Sequence, residues 1–492
     1  MAQKLNRDTL DQLPKNIPVP LYGADDITPG IVHIGVGNFH RAHQAIYLNR
    51  LFNRGMDRDW GIIGAGVMPG DARMRDQLQH QDWLSTVVEL DPNGYTAQIS
   101  GAMIGFAEVN IPALVHAMTQ PEIRIVSLTV TEGGYYVDPQ TGGFNVDHPI
   151  VKDDARNPDK PKTVFGAIVI ALRKRKAKGL EPFTVMSCDN VPENGKVAKQ
   201  AVLGLATLIA PDLVTWIDDN VAFPNSMVDC ITPATGDRER NLVTERFGID
   251  DPTVVVCEPF RQWVLEDNFP QGRPRLEDVG VEFVDDVASY ELMKLRILNG
   301  GHAAIAYPSA LMGLEYAHDA MQSDVVRAYL DKLEHEEIIP TVPNVPNVDF
   351  NHYLSQTMDR FSNTEIEDTI PRLCLDGSNR QPKFILPTIV DRLNDGLSVK
   401  GLALEVALWC RYCAGSDDKG QPLIVEDEKA ACLQANARQA QSNPQAFLGM
   451  TDIFGPIATN DNFAKEFSAA LSSLWENGTA LTLANYVSGD AS

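Results

Sequence analysis

An apolar run at Gly30-Ile-Val-His-Ile34 breaks at Gly35-Val-Gly37 and passes directly into a helical pattern, Asn38-Phe39-His40-Arg41-Ala-His43-Gln-Ala-Ile-Tyr-Leu48. A strand that turns on glycines into a helix is what a dinucleotide fold places beneath a pyrophosphate. Gly35 permits the tight turn and Gly37 lets the backbone approach phosphate. The following helix offers free N–H groups and its positive dipole end to the anion. The third glycine of the usual fingerprint is absent, since position 40 is His. A second apolar strand, Trp60 to Val67, runs into Met68-Pro69-Gly70-Asp71. A carboxylate at the end of that strand binds the adenosine ribose of NAD. Asp71 is the nearest candidate, while Arg73 and Arg75 stand close enough in sequence to meet the 2′-phosphate of NADP.

Further apolar strands are expected at Ile123–Val130, Phe183–Ser187 and Thr253–Cys257, with helices between them over 163–178 and 195–209. Alternation of strand and helix predicts a mostly parallel sheet. Its strands run into Thr131-Glu132, Cys188-Asp189-Asn190 and Glu258-Pro259. Ligands bind outside the carboxyl ends of such strands, which marks Thr131, Glu132 and Asn190; each also suits a plain turn or helix cap. From about residue 290 helical periodicity takes over, over 323–337, 365–375, 386–393, 401–412, 427–441 and 462–474. The expected organisation is an α/β chain of two domains. Residues 1–288 form a Rossmann-like dinucleotide-binding domain, and 289–492 a mostly α-helical catalytic domain.

Charge and cysteine usage narrow the function. With 66 acidic against 42 basic side chains the 492-residue chain carries a net charge of −24, which opposes binding to nucleic acid or anionic membrane. A small-molecule substrate fits better. No run of about 18 uncharged apolar residues is present, and the opening Met1-Ala-Gln-Lys-Leu lacks the apolar core of a signal peptide. Seven scattered cysteines suit reduced thiols, so a cytoplasmic location is expected. Cys410-Arg-Tyr-Cys413 is the one CxxC, and it lies in an apolar helical stretch with no second pair at zinc spacing. No metal site is expected, and a monomer is compatible with the sequence, which leaves the oligomeric state open.

The stretch Glu291-Leu-Met-Lys294-Leu-Arg296-Ile-Leu-Asn299-Gly-Gly-His302 reads as an amphipathic helix. At about 100° per residue, Lys294, Asn299 and His302 fall within an arc of about 140°. An amine, an amide and an imidazole then share one side of one element. The same three residues alone would also suit a snorkelling lysine beside a satisfied polar pair.

Six ordered motifs settle the reading between them. Gly35-x-Gly37-x-Phe39-His-Arg41-x-His43, Thr129-Val-Thr-Glu-Gly-Gly-Tyr135, Phe183-Thr-Val-Met-Ser-Cys-Asp-Asn190, Phe223-Pro-Asn-Ser-Met-Val-Asp229, Glu258-Pro-Phe-x-Gln-Trp-Val-x-Glu-Asp267 and Lys294-x4-Asn299-x2-His302 together resemble the long-chain polyol dehydrogenases. The likeness spans nearly the whole chain and is strongest to the mannitol-oxidising branch. It implies zinc-independent, NAD-dependent interconversion of a polyol, D-mannitol foremost, with its 2-ketose, D-fructose; NADP is not excluded. D-arabinitol, D-sorbitol, or reduction of fructuronate or tagaturonate are the alternatives. The resemblance assigns cofactor contacts to Gly35, Gly37, Phe39, Arg41, Met68, Thr131 and Glu132, and substrate contacts to Arg372 and Arg380.

Alcohol oxidation removes the hydroxyl proton as hydride leaves carbon. Without zinc, a side chain must be the base. Lysine's ordinary pKa of about 10.4 falls towards the working range with burial and cationic neighbours, so Lys294 is the expected base in oxidation and acid in reduction. Asn190 and Asn299 are expected to stabilise the growing oxyanion, approaching from the two domains. His302 would orient a hydroxyl. Glu291 would relay the proton to solvent, or else pair with Arg296 or Lys294 on the surface. Asp229 matches a family position near the active centre. Two departures stand out: the Asp-Arg pair common in relatives is here Asp229-Cys230, and Arg380 stands where close relatives have Lys. The planar guanidinium of Arg380 suits a carboxylate.

Overall fold

The computed structural model describes residues 2–138 and 141–489, so Met1 of the opening segment lies outside it. The chain divides into two compact units, Met1–Ala288 and Ser289–Ser492.

The first unit is built on five parallel strands: β1 (Pro29–Ile34), β2 (Gly61–Ala65), β3 (Met103–Phe106), β4 (Ile125–Leu128) and β5 (Thr184–Ser187). Their spatial order is β3-β2-β1-β4-β5, so sequence order reverses at β1, which pairs with both β2 and β4. Residues of β1, β4 and β5 are buried throughout or nearly so, as a sheet covered on both faces requires. One face packs against helices Val164–Ala177 and Asn194–Ile209, whose Phe165, Ile168, Val202 and Leu205 join Val126 and Val185 in a single core. The other meets Leu48, Leu51 and Phe52 of helix Gln44–Asn53.

Two expectations are corrected here, the sheet that holds Val255–Cys257 and the unbroken helix after Gly37. The segment Val255–Cys257 is outside the five-stranded sheet and pairs in parallel with Ser85–Glu89, which forms a hairpin with Thr96–Ser100. Ser226–Asp229 is a strand of another three-stranded sheet, antiparallel to Gln262–Glu266. The helix after Gly37 is broken: it ends at Ala42 and restarts at Gln44, because His43 takes φ −116°, ψ −91°.

The second unit is helical. Expected helices appear as Asp324–Leu333, Leu386–Asn394, Lys400–Cys413, Ala430–Ala440 and Asp461–Asn477. The helix expected over 365–375 shrinks to Ile370–Cys374: Glu367 sits at φ +48°, and Thr369 caps a helix with Pro371 in its first turn. Cys410 and Cys413 are buried within Lys400–Cys413. Among the described residues no helix is long and apolar enough to cross a membrane.

Candidate active site

The geometry at the carboxyl ends of β1, β4 and β5 follows from close backbone approach. Gly35 has φ +99°, and a Cβ there would lie 2.1 Å from the Thr129 carbonyl oxygen, so no other residue fits the turn. Gly37 is exposed, and a Cβ on it would come no closer than 4.0 Å to anything, leaving open space above the turn. Arg41 is buried at 1% exposure. Its guanidinium donates to the Gly37 carbonyl (3.2 Å), to Asn38 Oδ1 (2.8 Å) and to the Thr253 carbonyl. It therefore braces the turn from beneath. Phe39 is half-buried and stacks on His43 with ring centroids 4.8 Å apart.

Two histidines lie under this turn, of which only His40 stands out in the sequence, in place of the third glycine. His33 Nε2 lies 3.1 Å from the Gly35 carbonyl and 2.9 Å from Thr129 Oγ1, and His40, in place of the third glycine, stacks on His33 at 3.4 Å between centroids. Burial holds His33 down to about 3, and burial together with the His33 and Arg41 charges holds His40 well below its usual range.

At the end of β2, Met68 is 64% exposed, an apolar side chain left uncovered. Asp71 folds back so that its carboxylate accepts from the Met68 N–H at 2.8 Å and sits over Gly66. Arg75 is tied to Glu108 and to Asp76 (3.1 Å), whereas Arg73 is exposed. At the ends of β4 and β5, Thr131, Glu132 and Asn190 are exposed. The residue that organises this edge is Asp189, whose carboxylate no local pattern marks out from its neighbour Asn190. Its carboxylate accepts from the Val130 and Thr131 N–H groups (both 2.9 Å) and from the Tyr135 hydroxyl (2.6 Å). These contacts hold Thr131 at φ +66°, a rare conformation for a β-branched residue. Asp229, buried at 5% exposure, closes its own strand opposite Gln262 and is not on the five-stranded sheet.

In the second unit, Glu291, Lys294, Asn299 and His302 lie on one continuous helical run, but its pitch changes. Ala288–Met293 is α-helical, Lys294–Asn299 is π-helical, and Gly300–Met312 is α-helical again. The expected uniform 100° spacing is thus corrected. In a π turn hydrogen bonds run from i to i+5, so residues five apart, which stand about 140° apart around an α-helix, are drawn towards one face. Lys294 and Asn299 are five apart. Lys294 is 7% exposed, and Asn299 Nδ2 is enclosed without a hydrogen-bond partner. His302, one α turn further, stacks on Phe361 at 4.0 Å, and its Nε2 is likewise enclosed and unpartnered. Burial, with the positive charges of Arg372, Arg360 and Arg380, holds His302 well below its usual range and keeps the ring neutral. Arg372 is clamped by Asp368, whereas Arg380 donates to the Leu373 carbonyl at 2.9 Å. Arg296 is held away from this side by Asp391 and the Thr341 carbonyl.

The mannitol dehydrogenase Rossmann domain model matches residues 29–278, and the mannitol dehydrogenase C-terminal domain model matches 286–475. A mannitol 2-dehydrogenase of Cereibacter sphaeroides is 55% identical over 475 residues, 96% of this chain and 99% of its own. A mannitol 2-dehydrogenase of Aspergillus fumigatus is 39% identical over 98% of this chain and 99% of its own. Among solved structures, the ternary complex of Pseudomonas fluorescens mannitol 2-dehydrogenase with NAD and D-mannitol is 42% identical and superposes with a TM-score of 0.89, covering 99% of this chain and all of that one. A substrate-free D-sorbitol dehydrogenase, 34% identical, reaches the same TM-score over 97% of this chain and all of its own. Both halves of the chain match, in order and over nearly its full length, and the chain belongs to the mannitol dehydrogenase family.

Proposed function

We propose that this chain is a NAD-dependent polyol 2-dehydrogenase that interconverts D-mannitol and D-fructose. The observation that carries the reading is the π turn over Lys294–Asn299, which draws its two end residues towards one face and leaves the Asn299 amide enclosed and without a hydrogen-bond partner. The full-length likeness to an enzyme solved with NAD and D-mannitol supports the choice of cofactor and polyol.

The first unit fits a dinucleotide. Gly35 makes the tight turn, Gly37 leaves room for a pyrophosphate, Arg41 holds the Gly37 carbonyl in place, and the exposed Met68 offers apolar cover. Phe39, Thr131 and Glu132 are the remaining proposed contacts. Asp71 at the end of β2 favours NAD, since its carboxylate would repel a 2′-phosphate and Arg75 is already neutralised by Glu108. When bound, the nicotinamide supplies the hydride acceptor.

In oxidation Lys294 takes the hydroxyl proton, and in reduction it returns one. Asn299 donates to the oxygen on which negative charge grows, and Asn190 is proposed as a second amide donor. Neutral His302 can both donate to and accept from a substrate hydroxyl. Glu291, one α turn before Lys294, is proposed to pass the proton on to solvent. Asp229 is proposed to support the active centre.

A second reading has its own observation. Arg360, Arg372 and Arg380 bring positive charge around His302, which suits a substrate carboxylate such as that of fructuronate. A panel of mannitol, arabinitol, sorbitol, fructose, fructuronate and tagaturonate with each nicotinamide, followed by nicotinamide absorbance, tests both. Turnover of mannitol with NAD is expected. Preference for a uronate would replace the polyol assignment, and no turnover with any member would sink the enzyme reading.

A further inference from the structure

Glu405 lies within Lys400–Cys413 at 0% exposure, and Gln381, in the short helix Gly377–Phe384, is 1% exposed. Gln381 Nε2 donates to Glu405 Oε1 at 2.6 Å. The two remaining oxygens of the pair, Glu405 Oε2 and Gln381 Oε1, are enclosed and have no hydrogen-bond partner. A carboxylate would leave both as orphaned acceptors, a cost that buried polar pairs ordinarily avoid. A carboxylic acid carries the single O–H donor that satisfies both at once. The two helices meet in register. One turn before Gln381, a Cβ on Gly377 would lie 2.6 Å from Nε1 of Trp409, which is one turn after Glu405, and 2.9 Å from the Tyr307 hydroxyl. Gly377–Phe384 depends on such anchors, because Pro382 inside it interrupts the helix's own hydrogen bonding. This helix carries Arg380, and its end abuts the run that carries Asn299 and His302: the Phe384 carbonyl oxygen is 3.7 Å from where a Cβ on Gly300 would lie.

We propose that Glu405 is a positioning residue: it holds a proton, donates it to Gln381 Oε1 to close a carboxyl–amide ring, and thereby fixes the helix that carries Arg380. The inference rests on the polyol reading, in which Arg380 meets substrate, and adds to it a residue that touches none. Burial pushes Glu405 up to about 8, and the amide donor offsets this only in part. No neighbour among the described residues supplies a counter-charge. Tyr307 from Gly300–Met312 and Tyr329 from Asp324–Leu333 face it as neutral phenols. Glu337 caps the start of the same helix, accepting from the Gly401 and Leu402 N–H groups at 2.7 and 2.9 Å. Asp461–Asn477 and Ala430–Ala440 bury Phe467, Leu471, Leu433 and Ala437. Above about 8 the proton leaves, and the ring opens into two acceptors that repel each other. Ser378 stays fastened to Asp427 through its N–H (2.8 Å) and its hydroxyl (2.7 Å), so the helix loosens around Arg380 without leaving its place.

The test compares the full-length protein with Glu405→Gln, whose amide can make both hydrogen bonds of the ring and has no proton to lose. In the infrared, the wild type minus Glu405→Gln difference near pH 7 should show the C=O stretch of a protonated carboxyl, and that band should fade towards pH 9. Hydrogen exchange over residues 377–384, read by mass, should match in the two proteins near pH 7. Near pH 9 it should run about threefold to tenfold faster in the wild type, the loss expected for one hydrogen bond, and comparison at equal pH cancels the intrinsic exchange rate. The mannitol KM should follow the same course, equal near pH 7 and about threefold to tenfold higher in the wild type near pH 9, while kcat changes alike in both. Glu405→Leu, which leaves the Gln381 amide unpaired, should raise KM at both pH values; the comparison with Glu405→Gln stands even if that variant does not fold. No carboxyl band in the difference spectrum, exchange that does not diverge near pH 9, or a KM that rises equally in both proteins would overturn the proposal. The infrared and exchange readings need no substrate, so failure of the polyol reading, seen as no turnover, is distinct from failure of this one.

Discussion

Lys294 and Asn299 carry different burdens in the proposed reaction, and their substitutions should separate. Lys294→Ala removes the group that holds the proton in flight. Turnover should fall by about 10²–10⁴-fold, the usual range for a positioned general base. NADH affinity, measured by fluorescence titration, should change little, because the turn at Gly35 and Gly37 belongs to the other unit. Near-normal turnover would remove Lys294 from the mechanism. Asn299→Ala takes away one donor to a developing oxyanion, a loss of about 3 kcal/mol in transition-state stabilisation. Its effect should appear in kcat, with the substrate KM little altered, since the amide's full interaction arises only as charge grows. A rise in KM at constant kcat would instead make Asn299 a ground-state contact. The enclosed, unpartnered Nδ2 favours the first outcome: folding has left a buried amide N–H without a protein acceptor, at a cost ordinary core packing would have avoided.

At the scale of the element, the π turn is what a pattern of apolar residues cannot reveal. Leu292, Leu295 and Leu298 recur at spacing three, which suits an α-helix, and only the i to i+5 relation of Lys294 and Asn299 hints at another pitch. The polar set was legible as motif residues; their alignment was not, because it depends on hydrogen bonds that local composition does not specify. The same holds at the glycine turn. Gly35 could be read from its place between strand and helix, whereas the bracing by Arg41 and the stacked His33 and His40 depend on strands and turns far apart in sequence. Asp189 escaped for the same reason, since its partners Val130, Thr131 and Tyr135 lie more than fifty residues earlier. Long, strongly periodic helices were legible to within a few residues, while Val255–Cys257 was assigned to the wrong sheet because an apolar triplet does not say which neighbour it pairs with.

For the whole molecule, buried histidines outweigh the raised carboxyl of Asp189 in the first unit, whereas in the second the raised carboxyls of Glu334, Glu337 and Glu405 outweigh the depressed His302, and the stabilities of the two units should respond to pH in opposite directions. In the first unit His33 and His40 are neutral and stacked beneath the cofactor turn, with His33 depressed to about 3 by burial. The unfolded chain binds a proton near the ordinary histidine value of about 6.5 that the folded unit refuses. Their stabilising effect is therefore complete above that value and is lost as pH falls from about 6.5 towards the depressed folded value. In the second unit Glu405 is enclosed, accepts from Gln381 Nε2 at 2.6 Å, and is pushed up by burial to about 8. Glu334, both of whose oxygens lack a partner, is pushed well above its usual range for the same reason. These carboxyls are neutral when folded and ionise once unfolded, so their contribution is complete at acid pH and declines as pH rises through the interval from the ordinary glutamate value of about 4.3 to about 8. Each fully engaged group changes stability by about 1.4 kcal/mol per pH unit inside its window, or about 3–5 °C in Tm for a unit of this size. Scanning calorimetry between pH 5 and 8 should then resolve two transitions that move apart or cross, one rising with pH and the other falling. Glu405→Gln keeps the shape and the amide pairing but removes the ionisation, so it should flatten the falling transition and leave the rising one in place. Two transitions that shift in parallel, or a Glu405→Gln variant whose falling limb is unchanged, would show that these buried groups do not govern the stability of their units.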